Sequence, residues 1–383
     1  MTLVTLYVLL KTLLNPNFNI PSFLKDHWQR SPCVIRNALP DFVDPIDEHE
    51  LAGLAQEAEI DSRIVAKLEN QWHVSHGPFE DFDTVCKGDW TLMVQGVDKW
   101  LPEISALASA FSFIPNWRFD DVMISFAVPG AGVGPHVDQY DVFLIQGKGK
   151  RHWQVGKPNA QPTLSPHKDL CQVAAFDACI DVELSPGDIL YIPPGWPHCG
   201  TSIEASLTYS IGFRAPDVQD LMVPLQDTLQ SIPSLTRYTD PGLNSRAQSA
   251  MVNASEIEIL ESLMHSIMQT PQWRFQLMCY LSDQHLPTAP LDVPFSVSEI
   301  TECLNQENTI TPIPGCRPLC SEAVAGSIFI NGNLYAASDS STAWLLLLFD
   351  TLKVPPLPSS TQDHIEICQL VTTLVNEGLL IVD

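Results

Sequence analysis

Basic residues are scarce in this sequence. Twenty Lys and Arg stand against 45 Asp and Glu, so the 383-residue chain carries a formal net charge of −25. A surface of that sign repels phosphate backbones and anionic lipid, which disfavours direct nucleic-acid binding and a membrane-surface role. A large macromolecular partner is expected to be basic instead. A hydrophobic run long enough for a bilayer is missing too. The apolar stretch from Thr2 to Leu14, broken by Lys11, falls short of the ~20 residues a spanning helix needs. It has no basic segment before it and no small-residue cleavage site after it, so it reads as an N-terminal strand or a start extension rather than a secretion signal. The strand-helix alternation of a dinucleotide-binding domain is absent, as are internal repeats and low-complexity tracts. The 10 cysteines, from Cys33 to Cys368, are scattered without the spacing of a disulfide framework. They read as free thiols in a reducing compartment, and a cytoplasmic location is expected.

What is present is apolar material: 45% hydrophobic residues at 17% charge, enough for at least one large core. Three textures follow along the chain. Residues 18–216 hold short β-branched and aromatic runs punctuated by Gly and Pro, such as Val122-Met123-Ile124-Ser125-Phe126, Tyr140-Asp141-Val142-Phe143-Leu144-Ile145 and Asp188-Ile189-Leu190-Tyr191-Ile192. That pattern predicts a β-sandwich or barrel. Residues 217–285 turn helical, with Ser255 and Glu258 placed for a capping box ahead of Ile257, Leu260, Leu263, Met264 and Ile267. Such a segment serves as a dimer surface or spacer, or packs back on its own sandwich. The stretch Leu286 to Pro294, with three prolines, reads as a linker. Residues 295–383 form a small mixed domain with an Asn331-Gly332 hairpin and helical stretches at Thr342–Phe349 and His364–Leu379. A winged-helix-like module is the expectation. However, residues 217–383 carry 5 Lys and Arg against 19 Asp and Glu, the wrong sign for reading DNA.

The chemistry concentrates at Pro135-His136-Val137-Asp138-Gln139-Tyr140. Strand residues two apart point to one face, so His136 and Asp138 can present an imidazole and a carboxylate to one point. A third ligand is available at His198, delivered by Pro186-Gly187-Asp188, an apolar strand and the stiff loop Pro193-Pro194-Gly195-Trp196-Pro197. Two histidines and one carboxylate make the facial triad of non-haem Fe(II) sites, whose open positions take a co-substrate and O2. The same set also holds zinc, and the bland alternative makes both histidines ordinary loop residues. A 2-oxoglutarate co-substrate needs a cation for its distal carboxylate. Lys148, Lys150 and Arg151 follow the His-X-Asp, and Arg151 can grip a carboxylate bidentately. Arg214 is the competing choice, while Lys148 and Lys150 also suit a solvated hairpin. The remaining histidines, His73, His76, His152 and His167, have no partner at ligand spacing and are expected to be hydrogen-bonded or exposed.

These residues resemble a known family. Asp120 to Phe126, Gly132 to Phe143, Leu184 to Gly195 and Gly212-Phe213-Arg214-Ala215-Pro216 are similar to the bacterial JmjC-domain ribosomal oxygenases, and more distantly to eukaryotic ribosomal histidine hydroxylases. The likeness is dense over 18–216 and loose beyond. It implies a double-stranded β-helix (jelly-roll, JmjC/cupin) catalytic domain at 18–216, a helical dimerisation region at 217–285 and a winged-helix-like α+β domain at 295–383. It also implies hydroxylation of an arginine β-carbon in a large-subunit ribosomal protein, number sixteen, using Fe(II), 2-oxoglutarate and O2. Position by position, it implies that His136, Asp138 and His198 hold iron and that Arg151, rather than Arg214, binds 2-oxoglutarate with Ser125 as hydroxyl partner. Asp121, Met123 and Tyr140 would form the arginine pocket, with Ser210 a further polar contact.

The residues themselves are compatible with that pocket. Asp121, Met123 and Ser125 alternate along one strand, and a carboxylate beside a thioether and a phenol suits a guanidinium. Core packing for Met123 and a strand-end surface position for Asp121 remain the plain alternatives. A histidyl hydroxylase, a lysine demethylase, a zinc cupin isomerase and a ribosome-assembly binding module are the rival functions. The chain's first dozen residues exceed what the family carries, which bears on the start site and not on the catalytic core.

Overall fold

The computed structural model describes residues 13–159, 162–245, 248–306 and 310–382. The N-terminal apolar run therefore lies almost wholly outside the described residues. The chain divides into two units, residues 1–215 with 313–315, and residues 216–312 with 316–383.

The first unit is built on an eight-stranded antiparallel sheet. Its strands are β1 (Cys33–Ile35), β2 (Ser62–Leu68), β3 (Gln71–His76), β4 (Asp89–Val94), β5 (Phe119–Ala127), β7 (Asp141–Gln146), β12 (Ile189–Ile192) and β14 (Ser206–Phe213), in the order β1-β12-β7-β14-β5-β4-β2-β3. A second sheet, β11-β8-β13-β6, combines β6 (His136–Val137), β8 (Arg151–Gly156), β11 (Ala178–Leu184) and β13 (Pro197–Ser202). A separate ribbon pairs β9 (Thr163–His167) with β10 (Leu170–Val173). This is the expected double-stranded β-helix.

Strict alternation in β14 shows why the sheets stack. Leu207, Tyr209, Ile211 and Phe213 enter one large core, whereas Ser206, Thr208, Ser210 and Gly212 face the other way. All eight residues are nevertheless buried, because both faces of the sheet are covered. The large core is closed by α1 (Ile20–Asp26), α2 (Glu48–Leu54), α3 (Phe82–Val85) and α4 (Pro102–Ser109), and it is rich in aromatics. Phe23 meets Tyr191 edge-on at 5.0 Å, and Phe111 meets Phe143 at 4.8 Å. On the opposite face Val142, Leu144, Leu190 and Ile192 pack with Trp153, Val155 and Leu184 of the second sheet. Between the two sheets, polar residues interrupt this apolar filling, and there the cavity opens.

Pro186-Gly187-Asp188 makes the tight turn expected of it. Gly187 sits at φ 83°, and a Cβ there would meet the Leu39 carbonyl oxygen at 2.4 Å. The Asp188 carboxylate accepts from the backbone N–H groups of Asn37 (2.9 Å) and Ser185 (3.1 Å) and pairs with Arg36 at 2.6 Å.

The second unit carries α5 (Met222–Ser231), α6 (Ala254–Met268), α7 (Pro271–Ser282), α8 (Val297–Asn305), α9 (Asp339–Thr351) and α10 (Thr361–Asn376). Its strands are β15 (Ile310–Pro312), β16 (Leu319–Ser321), β17 (Val324–Ile330), β18 (Asn333–Ala336) and β19 (Leu380–Val382). The Asn331-Gly332 hairpin is present, with φ values of 47° and 79° at the two turn residues. Three expectations shift. The capping box of α6 uses Asn253 and Glu256, not Ser255 and Glu258: the Glu256 carboxylate accepts from the Asn253 backbone N–H at 2.8 Å. The Pro-rich stretch is not a free tether, since Leu286 N–H donates to Asn331 Oδ1 (3.0 Å) and Leu291 N–H to the Asn376 carbonyl (3.0 Å). Finally, α7 packs on β17, so the helices and the C-terminal module share one unit. Among the described residues no helix is long and apolar enough to cross a membrane, and all 10 cysteines are free.

Candidate metal and co-substrate site

Strand pairing brings the triad together. His136 on β6 and His198 on β13 are direct cross-strand partners, so their side chains leave the sheet side by side; the ring centroids lie 4.2 Å apart. Asp138 follows two residues later, just beyond the end of β6. Its carbonyl accepts from the Gly195 N–H at 2.8 Å, which ties it to the proline-rich loop ahead of His198. Asp138 Oδ2 is then 3.5 Å from His198 Nε2 and 4.0 Å from His136 Nε2. Each imidazole Nδ1 lies 3.0 Å from the carbonyl two residues before it, Gly134 for His136 and Trp196 for His198. A proton on each Nδ1 leaves each Nε2 lone pair toward the carboxylate. Burial, then the neighbouring His136, depresses the His198 pKa and keeps its ring neutral and able to ligate. Potential ligand atoms of the three residues all lie within 4.8 Å of one another, the one such cluster among the described residues.

The triad lines a cavity of about 330 Å³ that also takes in Ser125, Arg151 and Trp153. Arg151 opens β8 and is 5% exposed. Its Nη1 donates to Ser125 Oγ at 3.4 Å, while Nε and Nη2 are buried without partners. Burial lowers its pKa to about 10, which leaves it cationic at neutral pH. A buried guanidinium with two idle donors and no carboxylate is costly. On the same cavity wall, Thr91 Oγ1 and Trp153 Nε1 are also buried and unpaired. A cation and polar groups short of acceptors, in one chamber with a cluster of two histidines and a carboxylate, fit a divalent metal with an anionic chelator that also reaches Arg151. Arg214 is not on the wall; its Nε donates to Asp120 Oδ1 at 3.2 Å. Lys148 is also occupied, by Glu48 at 2.5 Å.

Met123, Tyr140 and Ser210 line the same cavity, and Met123 and Ser210 are direct partners across β5 and β14. Tyr140, 37% exposed, has its phenol kept protonated, first by the desolvation of its enclosed part and then by the Asp138 charge. Asp121 is set apart from these. It is not on the cavity wall, and its Oδ2 accepts from the Gly96 N–H at 2.9 Å. Burial, followed by the charges of Asp98 and Asp120, raises its pKa to about 7. Of the lesser histidines, His152 bonds Asp181 at 2.6 Å, His76 and His167 approach Asp169 at 3.5 and 3.7 Å, and His73 is exposed. Sequence reasoning missed Arg63, Thr91 and Trp153, which also line the cavity.

The JmjC domain model matches residues 106–221, a span that contains the triad and Arg151. The ribosomal protein uL16 3-hydroxylase of Escherichia coli is 44% identical over 319 residues, 82% of this chain and 84% of that protein. The chain belongs to the JmjC-domain ribosomal oxygenases. Within the family, a probable ribosomal oxygenase of Haemophilus influenzae is 39% identical over 52% of this chain. The solved structure of the E. coli ribosomal oxygenase YcfD with cobalt and 2-oxoglutarate superposes with a TM-score of 0.83 at 37% identity, covering 96% of this chain and 99% of that one.

Proposed function

We propose that this oxygenase uses Fe(II), 2-oxoglutarate and O2 to hydroxylate the β-carbon of an arginine in the large-subunit ribosomal protein uL16. One observation carries the reading: a cluster of two histidines and a carboxylate shares one cavity with a buried arginine, two of whose donor atoms have no acceptor. His136, Asp138 and His198 would hold the iron, and Arg151 with Ser125 would take the distal carboxylate of 2-oxoglutarate. When bound, the iron and co-substrate supply the oxidising chemistry, with 2-oxoglutarate leaving as succinate and CO2. The chain's own residues place the target. Met123, Tyr140 and Ser210 form the walls against which the arginine side chain lies, and Asp121 behind them supplies the negative field for its guanidinium. A protonated Tyr140 can accept stacking from the guanidinium and donate its hydroxyl.

The partner is a basic protein recognised before it is buried in ribosomal RNA, in keeping with a net charge of −25. The enzyme does not bind nucleic acid itself, works in the cytoplasm, and forms a homodimer through its helical region, with a winged-helix-like module following. The test is succinate formation by the full chain with Fe(II), 2-oxoglutarate and a uL16-derived peptide, with mass spectrometry locating the added oxygen. Matched histidine and methyl-lysine peptides separate the rival substrates. Turnover should vanish in His136→Ala and Asp138→Ala. No succinate with any peptide, or turnover that survives both substitutions, overturns the reading.

A further inference from the structure

The two histidine ligands are not equally supported. His198 is on β13, which is hydrogen-bonded to β8 on one side and β6 on the other. His136 is on β6, a two-residue edge strand that pairs only through Pro197↔Val137 and His198↔His136. An edge strand of that length does not fix a ligand by itself. The carbonyl that orients His136 belongs to Gly134, in the loop Gly132 to Pro135, outside both sheets.

That loop is clamped from the β9–β10 ribbon. Gln172 on β10 is 5% exposed and donates from Nε2 to the Val133 carbonyl at 2.7 Å. Its neighbour Val173 donates its N–H to the Pro135 carbonyl at 2.9 Å. The fit is tight on both sides. Gly134 has φ 81°, and a Cβ there would fall 2.1 Å from Gln172 Nε2; a Cβ on Gly132 would fall 2.1 Å from the Gly200 carbonyl oxygen. The loop is thus held between the ribbon and β13, with its carbonyl at 134 aimed at His136 Nδ1.

We propose that Gln172 is a positioning residue of the metal site: it fixes the 132–135 loop, which in turn fixes the tautomer and direction of His136. This inference rests on the metal-site reading above. Groups that orient a ligating histidine typically change metal affinity ~10–100-fold when removed, and Gln172 acts one bond further out. The test measures Co(II) affinity of the full chain by the visible absorption of the bound ion, without 2-oxoglutarate or substrate. Gln172→Met keeps the length and loses the donor, and should weaken Co(II) by about 10-fold, the low end of that range. Gln172→Lys keeps a donor and should lie within about 3-fold of the parent. Should Gln172→Met fail to fold, Gln172→Asn, which withdraws the amide by one methylene, takes its place with the same expected loss. The proposal is overturned if the donor-lacking or shortened variant binds Co(II) like the parent, or if Gln172→Lys loses as much as the variant it is compared with. His136→Ala is run alongside. If that variant still binds Co(II) normally, the metal-site reading fails rather than the role of Gln172.

Discussion

Arg151 spends the resting state in an expensive position. Its guanidinium is buried with two donors idle, so the site is built for an anion that must arrive. Hydrogen bonds involving a charged partner contribute about 1.5–3 kcal/mol each. Arg151→Met, which removes two of them, should weaken 2-oxoglutarate about 100-fold or more by isothermal titration. The same substitution removes an uncompensated buried charge, so without 2-oxoglutarate the variant should resist urea better, by about 1–4 kcal/mol. A loss of stability would mean that Arg151 serves the fold and not the ligand. Asp121 yields a pH prediction. With a pKa raised to about 7, it is protonated below that pH and charged above it. Hence kcat/KM for an arginine peptide should rise as pH increases through about 7, and Asp121→Asn should flatten this limb. The linked stability runs the other way: the native state holds this proton more tightly than the unfolded chain, so its contribution is present below 3.8 and is lost as pH rises to about 7. At this scale the triad was legible because His-X-Asp and a remote His behind Pro-Gly-Asp carry their chemistry in residue type and spacing. The choice between Arg151 and Arg214 was not, since it depends on which cation has a carboxylate beside it. The Gly96 partner of Asp121 was equally hidden, 25 residues away in the chain.

Elements in this fold are joined by buried polar knots as well as by the aromatic core. Asp141, the first residue of β7, is fully buried and accepts from Arg118 Nη2 (2.8 Å), Gln29 Nε2 (3.0 Å) and the Tyr191 hydroxyl (2.6 Å). The Tyr191 oxygen in turn accepts from the Gln29 N–H at 2.7 Å. One carboxylate therefore ties the segment after α1 to β7, β12 and the start of β5. Removing one member of such a knot leaves a guanidinium that is largely enclosed. Asp141→Ala should cost about 3–5 kcal/mol in urea denaturation, and Asp141→Asn, which keeps the shape, distinctly less. A cost below about 1 kcal/mol would show that solvent reaches Arg118 and replaces the carboxylate. Strand content and the Asn331-Gly332 turn were readable because they follow local rules of alternation and turn chemistry. The capping box was read two residues late, because Ser255 and Glu258 satisfy the same spacing as Asn253 and Glu256, and only the chain's entry path selects between them. The role of Leu286 to Pro294 was misread for a similar reason: proline content reports stiffness, while docking onto Asn331 and Asn376 is a long-range event.

Charge and apolar surface make opposite demands on the whole molecule. The excess of acids favours encounter with a basic substrate over long distances, and this attraction is screened as the Debye length shrinks from about 30 Å at 0.01 M salt to about 8 Å at 0.15 M. Steering acts on encounter rather than on the bound complex, so kcat/KM for a basic peptide should fall with salt while kcat holds. Self-association must work against the same field, because residues 217–383, with 5 bases and 19 acids, repel their own copy. The surface that could overcome this is on α6. None of its residues is buried within the chain, and Ile257, Leu260 and Met264 share a helical face while exposed. A homodimer through α6, as proposed, would therefore be held by apolar contact, and salt should strengthen it where salt weakens substrate capture. Light scattering across a salt series measures this directly. The parent should be dimeric and tighten as salt rises, whereas Leu260→Asp with Met264→Asp places carboxylates on the shared face and should give a folded monomer. A parent that dissociates with added salt, or a double variant that stays dimeric, would move the interface away from α6.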